Sequence, residues 1–263
     1  MTIDLSECRT KIERAYKLRD ALEAVIPSEE KATEPRFPVS AKFESASSYY
    51  VLWVADIPED FYRRVGSIIG DAVHELRSAL DCLFRQLANH YIGGTNPAER
   101  AEGIEFPIES TSLGFTEKKM EVPEIPSGTW AIIEGAQPYN GGNPLNLLRI
   151  LSDDYKNGVL EPILISAKSF DLTEGFRSAQ EFGWRQDIES DNTHAETHLN
   201  VGAEVTRIKI TPLSPFAPVE VEVAAYITPY VQLPKGDRPA VLGLTEMISE
   251  VEKVVDDVMV HFK

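Results

Sequence analysis

From Phe61 to Leu87 the apolar residues Val65, Ile68, Ile69, Ala72, Val73, Leu76, Ala79, Leu80, Leu83 and Phe84 return every three or four positions. One face of an α-helix satisfies that spacing and a strand does not. The pattern holds for about eight turns at 3.6 residues each. Asp56, Pro58 and Glu59 make a start signal, and Gly93, Gly94 and Pro97 make a stop. A chain that carries such a helix must cover its apolar stripe, and most of the remaining sequence is constrained by that need.

Partners for the stripe are present at both ends. Leu5, Cys8, Ile12, Ala15, Tyr16, Leu22 and Ile26 form a helical stripe that Pro27 ends, and Leu244, Met247, Ile248, Val251, Val254, Val255, Val258 and Phe262 form another. A third helix is predicted from Asn143, a capping residue followed by Pro144, to Gly158. Short helical pieces are expected at "TEKKM" and "TWAIIEGA". Alternating or β-branched stretches predict strands in "FPVSAKFESASSYYVLWVADI", with a break near Ser45 to Ser48, and in "VLEPILISAKSF", "EFGWRQDIE", "AEVTRIKITPL" and "VEVEVAAYITPYVQL". No repeat or low-complexity block divides the chain. The expected fold class is α+β: a helical bundle of N-terminal, long central and C-terminal helices packed with a mostly antiparallel β-sheet, as a single domain over 1–263.

Charge and cysteine content narrow the function classes. With 26 basic and 42 acidic residues, the net charge of −16 opposes phosphates and anionic membranes, so non-specific DNA binding is not expected. Any nucleic-acid contact requires a local basic pocket. Two cysteines among 263 residues exclude a disulfide framework and a four-thiolate zinc site. The N-terminus has no apolar signal core, and no window approaches the roughly 18 apolar residues of a spanning helix. A cytoplasmic protein without a membrane partner is expected.

The chemistry-bearing residues concentrate on the long helix. In "GDAVHELRSALDCLFRQLANH", His74, Arg77, Asp81 and Arg85 follow spacings of three and four and share one side. A guanidinium beside an imidazole suits phosphoester cleavage, with the cation stabilising phosphate oxygens and the imidazole moving protons. An Arg beside a carboxylate equally suits an ion pair that fixes helix packing or a dimer contact. A binding site for a small phosphorylated ligand is the intermediate reading. Arg85 and His90 also match an Arg-x4-His spacing, which a chain of this length produces by chance.

"GDAVHELRSALDCL" resembles the signature of a family of uncharacterised bacterial proteins, with Gly-Asp, a His and Leu-Arg-Ser-Ala-Leu-Asp at these spacings. The similarity extends to "QPY" at Gln137 to Tyr139 and to the third helix. The family's helix is in turn similar to that of HEPN domains, helical bundles that often dimerise and whose ribonuclease members pair an Arg with a His in a shared cleft. The resemblance implies a HEPN-like, defence or toxin-associated protein, a homodimer through the central helix, that binds RNA or a nucleotide. If it is an enzyme, it is a metal-independent endoribonuclease using His74, Arg77 and Asp81, and no cofactor. Two departures bear on that implication. Cys82 stands where the signature continues with His, and Asp154-Tyr155-Lys156-Asn157 stands where the family has Asp-Lys-His-Arg. The alternative is a non-enzymatic interaction or dimerisation module in which the seam only fixes helix packing.

Elsewhere, "DNTHAETHLN" offers His194, Glu196 and His198, which on a strand share one face and can hold a divalent metal, although the order is not the zincin HExxH. A solvated loop is the simpler reading. "EGAQPYNGGNP" lacks the Lys-Ser/Thr ending of a phosphate loop and reads as a turn with caps.

Overall fold

A computed structural model describes residues 4–25, 37–44, 49–54, 56, 59–92, 103–156, 164–171, 189–191, 201–209, 223–231 and 238–260. The chain divides into two compact units, one of Met1–Leu22, Gly66–Glu161 and Ala240–Lys263, the other of Glu23–Val65 and Pro162–Pro239.

The first unit is built from helices α1 (Ser6–Val25), α2 (Glu59–Ile92, entering this unit at Gly66), α3 (Ser112–Glu121), α4 (Ser127–Gly135), α5 (Asn143–Lys156) and α6 (Ala240–Val260). The periodic residues are the buried ones. Cys8, Ile12, Ala15 and Leu22 are buried on α1, and Ile69, Ala72, Val73, Leu76, Leu80, Leu83 and Leu87 on α2. Leu145, Leu148 and Leu151 are buried on α5, and Leu244, Met247, Ile248, Val251, Val255 and Val258 on α6. Each of the Leu, Ile, Val and Met side chains contributes about 1.5–3 kcal/mol on leaving water, the alanines less, and the stripes cover one another. Beside them lies an aromatic cluster. Trp130 meets Phe84 at 5.6 Å and Phe115 at 5.5 Å between ring centroids, and Phe84 meets Phe106 at 6.0 Å, all edge to face.

Caps and turns fix the short helices. Thr111 precedes α3 with extended backbone, and its hydroxyl accepts from the Gly114 N–H at 3.2 Å. Between α4 and α5 the chain reverses through a 3₁₀ turn at Pro138–Asn140, then Gly141 at φ 93° and Gly142. A Cβ on Gly142 would stand 2.0 Å from the Ala136 carbonyl oxygen, so the reversal requires glycine there.

The second unit contains backbone strands β1 (Phe37–Glu44), β2 (Tyr49–Val54), β3 (Leu164–Asp171), β4 (Glu189–Asp191), β5 (Glu204–Lys209), β6 (Val223–Val231) and β7 (Arg238–Pro239). Their ladders are antiparallel in the order β3-β6-β1-β2-β5-β4, with β7 on β6 and with Val39 opposite Val54 in the β1–β2 pair.

These findings correct the expected helical bundle packed with a sheet. Of the residues whose side chains are described, 81% are helical and 1% lie in strands, so the described core is that of a helical protein and not an α+β one. Among the described residues, the buried apolar stripes belong to the helices and to an extended segment at 103–109. No helix among the described residues is long and apolar enough to cross a membrane.

Candidate binding site

The central helix uses two of its seam residues to hold a strap. Residues 103–109, "GIEFPIE", are not helical, and among the described residues no strand pairs with them, so their backbone groups need other partners. Asp81 Oδ1 accepts from the Phe106 N–H at 2.9 Å, and Arg77 Nη2 donates to the Phe106 carbonyl at 2.9 Å. One turn of α2 thus satisfies both polar backbone groups of one residue. The same Nη2 lies 3.2 Å from Asp81 Oδ1 and 3.1 Å from Glu105 Oε2.

Gln137 holds the strap from the other side. It is fully buried, and its Nε2 donates to the Pro107 carbonyl at 2.9 Å and the Ile133 carbonyl at 3.0 Å, while its Oε1 accepts from the Glu109 N–H at 2.8 Å. The neighbouring Tyr139 hydroxyl donates to Glu134 Oε1 at 3.0 Å. Burial first, then that bond to a carboxylate, push its phenol up to about 12, so it keeps its proton at neutral pH.

The strap, α3 and α5 enclose a cavity of about 330 Å³. That volume is at the lower end of the range for small-molecule sites. Arg77, Lys118 and Arg149 line it with Glu105, Glu109, Glu121 and Asp153. The charges differ in depth. The Arg77 side chain is 12% exposed, whereas those of Glu105, Glu121 and Asp153 are 59%, 51% and 56% exposed, so a guanidinium forms the floor and carboxylates form the rim. Both arginines are half engaged. Arg77 makes its bonds through Nη2, leaving Nη1 without a hydrogen-bond partner among the described residues. Arg149 Nη2 donates to Asn146 Oδ1 at 3.2 Å, and its Nη1 stands 3.7 Å from Asp153 Oδ2. The Nε atoms of both are buried without a partner among the described residues.

The seam residues part company here. Arg77 and Asp81 come together, but His74 is exposed and does not line the cavity. Arg85 is exposed, its Nε 3.4 Å from the Asp81 carbonyl oxygen, and His90 packs edge-on against Tyr91 at 4.8 Å. Among the described residues, therefore, no imidazole stands with Arg77 at the cavity. Cys82 is buried. His194, Glu196 and His198 lie outside the described residues, and among the described residues no group of three or more His, Cys, Asp or Glu side chains is placed to hold a metal. Gln137, Glu105 and Arg149 were not singled out by chemistry in the sequence. The Gln of "QPY" was the available signal, since a glutamine between a helix end and a proline has few reasons to be buried except to satisfy backbone.

The clamp should be measurable. Arg77 and Asp81 are 12% and 20% exposed, which places their pair between a surface and a buried ion pair. A double-mutant cycle with Arg77→Ala and Asp81→Ala is expected to give a coupling of about 1–2 kcal/mol in urea unfolding. A coupling indistinguishable from zero means that the two side chains do not act together.

Comparison with family models, curated proteins and solved structures finds no match for this chain.

Proposed function

We propose that this is a HEPN-like protein that binds a small phosphorylated ligand of mononucleotide size in the cavity beside the strap, and that it binds without cleaving. The observation that carries the reading is the pair of arginines on two different helices, each with one guanidinium arm held and, among the described residues, Nη1 not hydrogen-bonded, around one cavity. A guanidinium pre-oriented by one set of bonds recognises phosphate oxygens with its remaining donors at little further entropic cost. The resemblance adds support, because the three stretches it covers, on α2, at "QPY" and on α5, all contribute to the strap or to the cavity wall.

Size and charge favour a small ligand over a polymer. The rim carboxylates and a net charge of −16 oppose a long phosphate backbone. Binding without cleavage is favoured because, among the described residues, no imidazole lines the cavity: His74 does not, and Cys82 stands where the resembled signature has a histidine.

Isothermal titration with mononucleotides and with inorganic phosphate tests the reading. Binding is expected, and Arg149→Ala should weaken it about tenfold or more, the effect of losing a charge-assisted hydrogen bond of ~1.5–3 kcal/mol. Absence of heat and of thermal stabilisation with millimolar ligand would overturn it. That outcome favours a second reading, a non-enzymatic interaction module, which the engagement of Arg77 and Asp81 on the strap supports independently.

A further inference from the structure

We infer that the ligand of this cavity is zwitterionic: a phosphate monoester that also carries an ammonium group, with the phosphate on Arg77 and Arg149 and the ammonium on Glu109. The inference rests on the ligand reading above and narrows it.

Charge pairing around the cavity leads to Glu109. Among the described residues, three cationic side chains line the space against four carboxylates. Three of those carboxylates have a cation close by. Glu105 Oε2 stands 3.1 Å from Arg77 Nη2, Glu121 Oε1 2.8 Å from Lys118 Nζ, and Asp153 Oδ2 3.7 Å from Arg149 Nη1. Glu109 is the fourth. Among the described residues its carboxylate has neither a hydrogen bond nor an ion pair, and Arg77 is already shared with Asp81 at 3.2 Å.

The unpaired carboxylate is held in place. The Glu109 N–H donates to Oε1 of the buried Gln137 at 2.8 Å, which fixes the backbone that carries it. Its Oε2 stands over the first turn of α3, where a Cβ on Gly114 would lie 2.9 Å away. It does not cap that helix through Gly114, whose N–H bonds to Thr111 Oγ1 at 3.2 Å. A half-buried carboxylate without a protein partner has lost part of its hydration, and a ligand cation restores the balance.

The same surplus acts on the phosphate. An anion brought to the two arginines meets repulsion from Glu109, whereas an ammonium on the same ligand removes that repulsion and adds a charge-assisted hydrogen bond. This side of the cavity already favours an ammonium. The bond to Glu121 first, with Glu109 and Glu105 adding and burial opposing, raises Lys118 above the ordinary lysine value.

Isothermal titration compares short ω-aminoalkyl phosphates of graded chain length with alkyl phosphates of equal length, in EDTA and again with magnesium. The best aminoalkyl phosphate is expected to bind at least about tenfold tighter than its alkyl counterpart in EDTA, the effect of one charge-assisted hydrogen bond. Glu109→Gln should bring that ratio close to one while alkyl phosphate binds no more weakly than to the wild type. Equal affinity of the two series for the wild type overturns this inference and leaves the phosphate reading standing. So does a Glu109→Gln variant that weakens both series alike, since the carboxylate then only supports the strap. Alkyl phosphate that gains the missing affinity on addition of magnesium assigns Glu109 to a metal ion and likewise overturns it. Failure of both series to bind overturns the phosphate reading and this inference together.

Discussion

Replacing Gln137 by leucine is expected to lower stability by about 3–5 kcal/mol, more than the removal of any charged group around the cavity. Leucine approximates the glutamine's shape, so little cavity opens and the loss isolates hydrogen bonding. Three backbone groups lose their side-chain partner: the carbonyls of Pro107 and Ile133 and the N–H of Glu109. The side chain is fully buried, so water has no ready path to replace it. A buried polar group left unsatisfied costs about 1–3 kcal/mol, and the upper range is tempered because a carbonyl can bend toward another donor. The urea midpoint should fall at unchanged slope. Asn140→Ala is the control: Asn140 is exposed and its Nδ2 donates to the Glu134 carbonyl at 2.8 Å, so its loss should cost no more than about 1 kcal/mol. Equal effects at the two positions would mean that the strap is not held by Gln137.

The contrast between these two side chains also shows what could be read from the sequence. The period of three and four from Val65 to Leu87 dictates a continuous α2, and the i, i+4 spacing of Arg77 and Asp81 dictates that they meet. What periodicity does not specify is the group that lies over each position. His74 shares the seam but is exposed, because the strap covers only Arg77 and Asp81. The strap itself has no period: "GIEFPIE" satisfies its backbone through side chains of α2 and Gln137, a pairing with no signature in local sequence. The same limit explains the fold correction. Alternation in "VEVEVAAYITPYVQL" predicts a strand, and Val223–Val231 is one in the backbone. Alternation carries no information about what a strand packs against, whereas the apolar stripes of α1, α2, α5 and α6 mark in advance the residues that are buried on those helices.

Trp130 should show a second large effect with an unusual order among substitutions. Trp130→Ala is expected to cost about 3–5 kcal/mol, since the indole is 1% exposed and wedged against Phe84 and Phe115. Because Phe84 in turn supports Phe106, the residue clamped by Arg77 and Asp81, the loss should also loosen the strap and weaken the ligand binding proposed for the cavity. Trp130→Phe removes volume as well, yet it deletes the indole Nε1, which is buried without a hydrogen-bond partner among the described residues. Relief of that unsatisfied donor, about 1–3 kcal/mol, opposes the packing loss, so the phenylalanine variant should lie within about 1 kcal/mol of the wild type. Thermal and urea unfolding of the three proteins distinguish the contributions. If phenylalanine proves as damaging as alanine, the indole is held by shape alone and the unpaired nitrogen carries no penalty; if it matches or exceeds the wild type, the aromatic cluster tolerates a smaller ring provided that no donor is stranded inside it.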